Sequence, residues 1–464
     1  MKTAKWLGWA GFVLIVLVFA VYAARFIERT SFEVDGTRYY ALFDDAMISM
    51  RYAKNLANGY GPVWNPGGER VEGFSNPLWV GLMAVFHLFP IPAHRISMAV
   101  QIAGAVFLAA NLLFVKLIAD ELTDNRLVVL LAVFLTAFYF PLNNWSIQGM
   151  EVGLQTLLVS LAAWLSLRAY RRERFTPWPY LILGLGTWVR IDMGAALLVL
   201  LVFQLLFDRE NRKSHLLWGL GALLGFMLAQ TLARYLYYGE LLPNTYYLKV
   251  GGTSTLARLS QGLMAFFITV WTGNWVLFVV PFALLLLQRD KAVLLPFALF
   301  LGQSAYSIYV GGDAWEHTGG ANRFISIGMP LFFVLFALTL DAVRTALLRV
   351  FEKDQRSFQP PNWLKLGTQA LMAAFVVVSL FSFNTLLEQD GVQKWMLIKR
   401  PPYVKGSERY VRMGLSLAEA TTSEARIAVV TAGNMPYFAG ERYFIDLLGK
   451  SDKVVARQAP QVVA

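Results

Sequence analysis

Long apolar runs alternate with short polar connections along this chain. Charge-free stretches cover residues 6–24, 96–115, 259–288 and 366–387. A bilayer core is about 30 Å thick, and a helix needs roughly 20 apolar residues to cross it. Backbone groups in lipid must be satisfied within the segment, so such runs predict helices. The pattern places spans near 6–27, 96–118, 127–147, 150–167, 177–190, 192–207, 215–237, 261–287, 292–311, 324–342 and 366–384. Residues 77–91 are apolar but short, which predicts a re-entrant or interfacial helix. The stretch 177–207 is interrupted by Arg190 and Asp192. Charges inside a span are expensive and face cavities, so two short helices should meet there in a polar pocket at the outer face. From about residue 385 the periodicity changes: "SERYVRMGLSLAEAT" reads as a helix, "RIAVVTAG" and "RYFIDLLG" as short strands. The expected architecture is an all-α polytopic membrane domain over 1–384, with about 11 transmembrane helices, and a small α/β domain outside the membrane over 385–464. Residues 28–95 form its first outer loop, carrying short helices.

Composition agrees: of 464 residues, 57% are hydrophobic and 15% charged, which excludes a disordered tail or an ordinary soluble enzyme. The net charge of +11 sits in short loops. Arg168, Arg171, Arg172 and Arg174 form one, Arg209, Arg212 and Lys213 a second, Arg289 and Lys291 a third, and the stretch from Arg344 to Arg356 a fourth. All fall on one side if the N-terminus is cytoplasmic. Charge therefore speaks for topology in a multi-pass cell-membrane (inner-membrane) protein, and no nucleic-acid partner is expected. Lys2 and Lys5 precede an apolar run longer than the roughly 7–15 residues of a signal-peptide core, so the first segment is read as an uncleaved anchor. The chain has no cysteine and four histidines, which excludes thiol catalysis and disfavours a His/Cys zinc site.

The outer connections carry the chemistry. "FDDAMISMRYAKNLANGYG" begins a helix with Asp44 and Asp45, where the dipole stabilises anions. Asp44, Ile48, Arg51 and Asn55 share one face of it, and Asp45, Ser49 and Tyr52 the next. Lys54 follows on the same helix. Helix capping plus a surface ion pair is the plainer reading of these groups. "GGDAWEHTGGANRF" contributes Asp313, Glu316, His317 and Arg323. "YYGELLPNTYYLKV" contributes Asn244, Tyr246, Tyr247 and Lys249, for which an interfacial aromatic belt is the alternative. "SIQGMEVG" sets Glu151 at a helix start, where capping would also explain it. A transporter should carry its ionisable groups near the middle of several helices. Here they gather at outer ends, which points to a one-sided catalytic cavity for a substrate with an anionic group. The Asp44/Asp45 pair is also the one place for a carboxylate-bound Mg²⁺ or Mn²⁺.

These motifs resemble a known family. "DDAMISMRYAKNLANGYGPVWNPGGERVEGFSNPLW" is similar to the first outer loop of polytopic GT-C glycosyltransferases, whose mycobacterial members include the terminal β-(1→2) arabinofuranosyltransferases of the cell envelope. "QGMEVGLQTLL", "GELLPNTYYLK", "YVGGDAWEHTGGANRFISIGMP" and "YFIDLLGKSD" resemble further blocks of the same family. Ile191 and Asp192 stand where the family usually has Pro-Glu, and the tail is shorter than the mycobacterial one. The resemblance implies transfer of a sugar, arabinofuranose first, from a polyprenyl-phosphate donor to an extracytoplasmic glycan or glycolipid. It implies Asp44 or Asp45 as general base and inversion in a single displacement. Arg51, Lys249 and Arg323 would then neutralise the phosphate, with Lys54, Glu151, Arg190, Asn244, Tyr247 and Asp313 lining the donor site. The alternatives are a hexose (mannose-type) transferase acting on lipid A, glycan or protein, and a lipid-linked saccharide transporter.

Overall fold

The structure is a computed structural model that describes residues 2–250, 254–313, 321–353 and 362–458. Helix α1 is Lys2–Thr30, and strands β1 (Phe32–Val34) and β2 (Thr37–Tyr39) follow as an antiparallel hairpin. Its turn is Asp35-Gly36, both at positive φ, the geometry that Asp-Gly favours between paired strands. Then come α2 (Asp44–Ala57), α3 (Pro77–His87), α4 (Ala93–Leu122), α5 (Arg126–Ala137), α6 (Phe140–Ile147), α7 (Val152–Arg171), α8 (Trp178–Val189), α9 (Met193–Phe207), α10 (Arg212–Tyr238) and α11 (Asn244–Val250). The second half holds α12 (Thr255–Thr272), α13 (Trp275–Val279), α14 (Leu284–Leu287), α15 (Leu294–Val310), α16 (Arg323–Lys353) and α17 (Asn362–Thr385). The C-terminal segment holds α18 (Gly391–Trp395), α19 (Val404–Ala420), β3 (Arg426–Val429), α20 (Asn434–Phe438), β4 (Tyr443–Asp446) and α21 (Lys453–Arg457). Strands β3 and β4 pair in parallel.

Among the described residues, seven helices are long and apolar enough to cross a membrane: α1, α4, α7, α10, α15, α16 and α17. Two bent pairs raise the number to nine. The expected span 127–147 is bent by 48° between α5 and α6, where Pro141 opens α6 and supplies no N–H to continue α5. The expected span 261–287 turns by 104° between α12 and α13, at Gly273 and a left-handed Asn274. Helices α8 and α9 are 12 and 15 residues long, about 18 and 22 Å. They are the two half-length helices expected around Arg190 and Asp192. Helix α3, with 11 residues, is about 16 Å long and too short to span.

Helix α16 is the central post: its span is 94% buried, against 17% for α17 at the periphery. Phe332, Phe333 and Phe336 on α16 pack with Phe278, Phe300 and Phe383 from three neighbouring elements. The up-and-down order settles which loops share an end. The start of α7, the α8–α9 break, the end of α15 and the start of α16 lie together. At the opposite end, Arg171 after α7 pairs with Asp290 before α15 and bonds the Glu121 carbonyl at the end of α4. The basic loops and the polar connections therefore occupy opposite ends of the bundle.

Close packing makes one glycine diagnostic. A Cβ on Gly104 of α4 would lie 2.3 Å from the Ser146 carbonyl oxygen of α6, a backbone atom that cannot swing aside. Gly104→Ala is expected to lower stability by about 1–3 kcal/mol, outweighing a helix-propensity gain of about 1 kcal/mol. Gly221→Ala on α10, where a Cβ meets nothing within 4 Å, should stabilise or be neutral. Thermal unfolding of both variants in detergent checks the contrast.

Candidate active site

The site is built where α2, the α8–α9 break and the start of α16 meet. Glu151 is the residue before α7, and its side chain is 1% exposed. The Arg190 guanidinium bonds Glu151 at 2.7 Å and Asp192 at 2.9 Å. Asn76 donates to the other Glu151 oxygen at 2.9 Å, and Gln155 donates to Asp192 at 2.9 Å. Ser49 of α2 donates to Asn76 at 3.0 Å, tying α2 to the triad. Arginine 190 also lies over the Phe324 ring at 5.2 Å. A buried charge survives only when paired and hydrogen-bonded, and this network meets that condition.

Next to it, Asp313 grips Arg323 with two oxygens at 2.8 and 2.9 Å and also accepts the Arg323 backbone N–H. The guanidinium lies over the Trp145 ring at 5.2 Å, and Trp145 in turn donates to the Ala321 carbonyl. A third nitrogen of Arg323 reaches toward Asp45 at 3.9 Å, too long for a hydrogen bond. Arg190 and Arg323 stand close enough to repel each other. Glu316 and His317 lie outside the described residues.

The two adjacent aspartates have separate surroundings. Asp44 faces the C-terminal segment: it accepts the backbone N–H of Asn434 at 2.8 Å, that of Gly433 at 3.3 Å, and the Asn434 side-chain amide. Burial pushes its carboxyl above the usual range, the Asn434 backbone bond pulls it back, and the charge of Asp45 raises it again. Asp45 keeps 22% of its side-chain surface exposed and accepts from Lys450 Nζ at 2.6 Å. Burial pulls the Lys450 ammonium down, but the charge of Asp45 and its hydrogen bond carry it above the ordinary lysine value. Lys450 comes from the turn after β4. Asp446, buried, accepts the N–H groups of Leu448 and Ser451 to shape that turn.

Several expected donor-site residues do other work here. Arg51 shares a face with Asp44, as its spacing predicts, but that face is covered by the C-terminal segment. Its guanidinium bonds the carbonyls of Trp64, Pro436, Gly440 and Arg442 and the Asn65 amide oxygen, and stacks on Trp64 and Phe444. It is spent as a clamp, not turned to a phosphate. Lys54 lies on the same side, 5.8 Å over the Tyr437 ring, away from Asp45. Asn244 bonds the carbonyls of Gly449, Lys450 and Asp452 at 2.8–3.1 Å, so it holds the turn and does not line the cavity. Tyr247 packs under Arg457. Lys249 lies in α11, and its side chain is not among those described. The expected residues brought together are Asp45, Glu151, Arg190, Asp313 and Arg323. Missed from sequence were Asn76, Gln155, Asp446 and Lys450. The last two stand inside "YFIDLLGKSD", the segment whose motif was visible but whose partner was not.

A Mg²⁺ or Mn²⁺ at the aspartate pair does not fit these residues. Asp44 spends its oxygens on N–H donors, Asp45 bonds an ammonium, and the described residues contain no group of three or more carboxylate or histidine ligands.

A protein family described only as a domain of unknown function (DUF8728) matches residues 401–463. The terminal β-(1→2)-arabinofuranosyltransferase of Mycobacterium tuberculosis is 29% identical over 215 residues, 44% of this chain and 34% of that protein. The Corynebacterium glutamicum enzyme of the same name is 25% identical over 388 residues, 75% of this chain and 52% of that protein. The chain thus spans about half or less of the length of these distant relatives. Two solved structures superpose over nearly the whole chain. ArnT from Cupriavidus metallidurans, bound to undecaprenyl phosphate, gives a TM-score of 0.62 at 12% identity, covering 98% of this chain and 89% of that one. The oligosaccharyltransferase AglB from Archaeoglobus fulgidus, with an inhibitory peptide and a dolichol-phosphate, gives 0.61 at 11% identity, covering 96% and 65%. The chain has the GT-C fold. It is a multi-pass membrane protein built on that plan, and α16 with its Arg323 start is the post around which this GT-C bundle packs.

The assignments of Asp44 and Arg51 to docking have a direct test. Arg51→Met should leave the 436–442 carbonyls without donors and speed protease release of the C-terminal segment. Asp44→Asn, whose side-chain oxygen still accepts an N–H, should release it more slowly than Arg51→Met. Limited proteolysis with mass-spectrometric readout compares them; equal, wild-type rates would refute the clamp.

Proposed function

We propose that the protein is a membrane glycosyltransferase that moves a sugar from a polyprenyl-phosphate donor to an extracytoplasmic glycan or glycolipid, with Asp45 as general base. One observation carries the assignment of the base. The Asp45 side chain keeps 22% of its surface, while Glu151 keeps 1%, Asp192 4% and Asp313 0%. Glu151, Asp192 and Asp313 are locked by arginine and Asp44 is held by backbone N–H groups, while Asp45 stays part-exposed within reach of two cations, Lys450 and Arg323. The fold of the ArnT and AglB structures, with their bound polyprenyl phosphates, supports the donor class. The distant arabinofuranosyltransferases make arabinofuranose the first sugar to test.

In the reaction, Asp45 takes the proton of an acceptor hydroxyl as its oxygen bonds to the anomeric carbon. The bond from that carbon to the phosphate oxygen breaks, and polyprenyl phosphate leaves with the electron pair. One displacement inverts the anomeric centre. In this reading Arg323 and Arg190 neutralise the leaving phosphate as it gains charge, and arginine suits phosphate through its fork of donors. Fixed cations of this kind act where charge develops and need no reorganisation. The basic loops at the far end support a cytoplasmic placement of that end by the positive-inside rule, and in this reading the site faces outward. A hexose as the transferred group, or a transporter of lipid-linked saccharide, makes a different prediction in the same assay.

Purified protein in detergent, given polyprenyl-phosphoryl arabinofuranose and a glycan acceptor, should form product without a second compartment. Asp45→Asn should lower kcat by about 10²–10⁴-fold, the usual contribution of a general base, with expression unchanged, whereas Asp44→Asn should retain most turnover. Full activity of Asp45→Asn would sink the assignment. Turnover with a hexose donor alone would move the sugar but keep the chemistry, and no product with any donor would favour transport. Because lysine and arginine supply the positive charge, activity should persist after exhaustive EDTA treatment; its loss, restored by Mg²⁺ or Mn²⁺, would overturn the metal-independent reading.

A further inference from the structure

We propose that the C-terminal segment, including the domain of unknown function, completes the catalytic centre by delivering Lys450 onto Asp45 as a positioning residue. This rests on the glycosyltransferase reading above and deepens it.

The geometry is specific. Lys450 and Asp45 are 405 positions apart, yet Nζ sits 2.6 Å from the carboxylate. Three independent devices fix the turn that carries the lysine. Asp446 closes it from inside by accepting the Leu448 and Ser451 N–H groups, and Gly449 takes a φ of 77° that a side chain would resist. Asn244, at the start of α11, donates to three of its carbonyls. The loop before α3 seals its other side so closely that a Cβ on Gly73 would lie 2.9 Å from the Lys450 carbonyl. Meanwhile Asp44 and Arg51 hold the rest of the segment on α2 through residues 433–442. A turn fixed from three sides, with a lysine at its tip bonded to the part-exposed Asp45 carboxylate, is more than packing requires.

Among the described residues, the groups facing Asp45 include Lys450 from this turn, Arg323 from α16, and Asp44 beside it on α2, with Asp313 and Arg190 next to Arg323. Among these, Lys450 makes the short contact. Its hydrogen bond takes one carboxylate oxygen, Oδ1, and leaves Oδ2 on the side of Arg323. The lysine thus orients the base, while the proton from the acceptor goes to Asp45 itself. No bond to Lys450 forms or breaks in the reaction.

The absence of native cysteine permits a clean test. Lys450→Met should lower kcat by about 10²-fold, the scale of a misplaced catalytic group, with the donor KM changed by less than about twofold. Lys450→Arg should restore part of the rate. Lys450→Cys, inactive as purified, should regain activity when converted to its S-aminoethyl form, which returns an ammonium at nearly the same reach. A neutral S-alkyl adduct should not, with both labels verified by mass spectrometry. Wild-type kcat in Lys450→Met, or equal rescue by the neutral adduct, would overturn the proposal. A donor KM that rises while kcat holds would also overturn it, and would make Lys450 a phosphate ligand. Should the wild-type protein transfer no sugar at all, the glycosyltransferase reading fails. In that case, non-additive thermal shifts of Asp45→Asn, Lys450→Met and the double variant still report whether the segment seats its lysine on Asp45; additive shifts would refute that as well.

Discussion

The Arg51 guanidinium is 4% exposed, so its donors must find acceptors inside the protein or lose the hydration they gave up on burial. The acceptors it finds are backbone carbonyls from two distant parts of the chain, the loop at Trp64 and the segment 436–442. Carbonyls converge on one guanidinium only if both stretches lie against α2. This constraint registers the C-terminal segment on the membrane bundle. With Asp44 capping the start of α20 about two turns earlier on the same face, it fixes the segment in position as well as in contact. The stretch 433–442 inherits its place from these two side chains, and Asn244 and Asp446 then fix the turn that carries Lys450.

A division of labour between neighbours follows. Consecutive residues on a helix point about 100° apart, so Asp44 and Asp45 cannot face the same partner. One looks to the docked segment and is consumed by N–H donors; the other looks into the cavity. The same logic separates Arg51 from Arg323. The first arginine is surrounded by carbonyls, the second by one carboxylate and an aromatic ring. Charge alone made them equal candidates, and what surrounds each decides its work.

Much of the bundle was legible because its signals are local. Apolar run lengths locate the helices, and the charges at Arg190 and Asp192 mark a break because lipid does not tolerate them. Clustered basic loops separate the two ends. The bends at Pro141 and Asn274 were written as plainly, in a proline at a helix start and a Gly-Asn pair, but hydrophobicity summed over a window hides them. The Asp35-Gly36 hairpin was also a local signal, outweighed by attention to the acids that follow it. The site was legible in parts. Asp45, Glu151, Arg190, Asp313 and Arg323 announce themselves as charges at helix ends in an apolar chain. Their partners do not. Helical spacing put Asp44 and Arg51 on one stripe, but periodicity gives the face of a helix and never names what covers it. Lys450 was one of many lysines in a polar tail, and only the tertiary fold distinguishes it.

The buried triad of Glu151, Arg190 and Asp192 shows why the cationic centre is stable enough to wait for a substrate. Two carboxylates flank one guanidinium, and this triad stands beside Arg323. Arg323 is already neutralised by Asp313 in a two-oxygen grip, and Lys450 by Asp45. Each cation of the centre is thus held by an acid of its own, and the cluster does not fly apart in the absence of an anion. Yet the pairings are unequal. Glu151 and Asp313 are sealed and cannot leave their arginines without exposing a buried charge, which is costly. The Asp45–Lys450 pair is partly open to solvent, where the cost of rearranging is lower. If an incoming phosphate is to disturb one ion pair of this centre, that pair yields first, and it contains the proposed base.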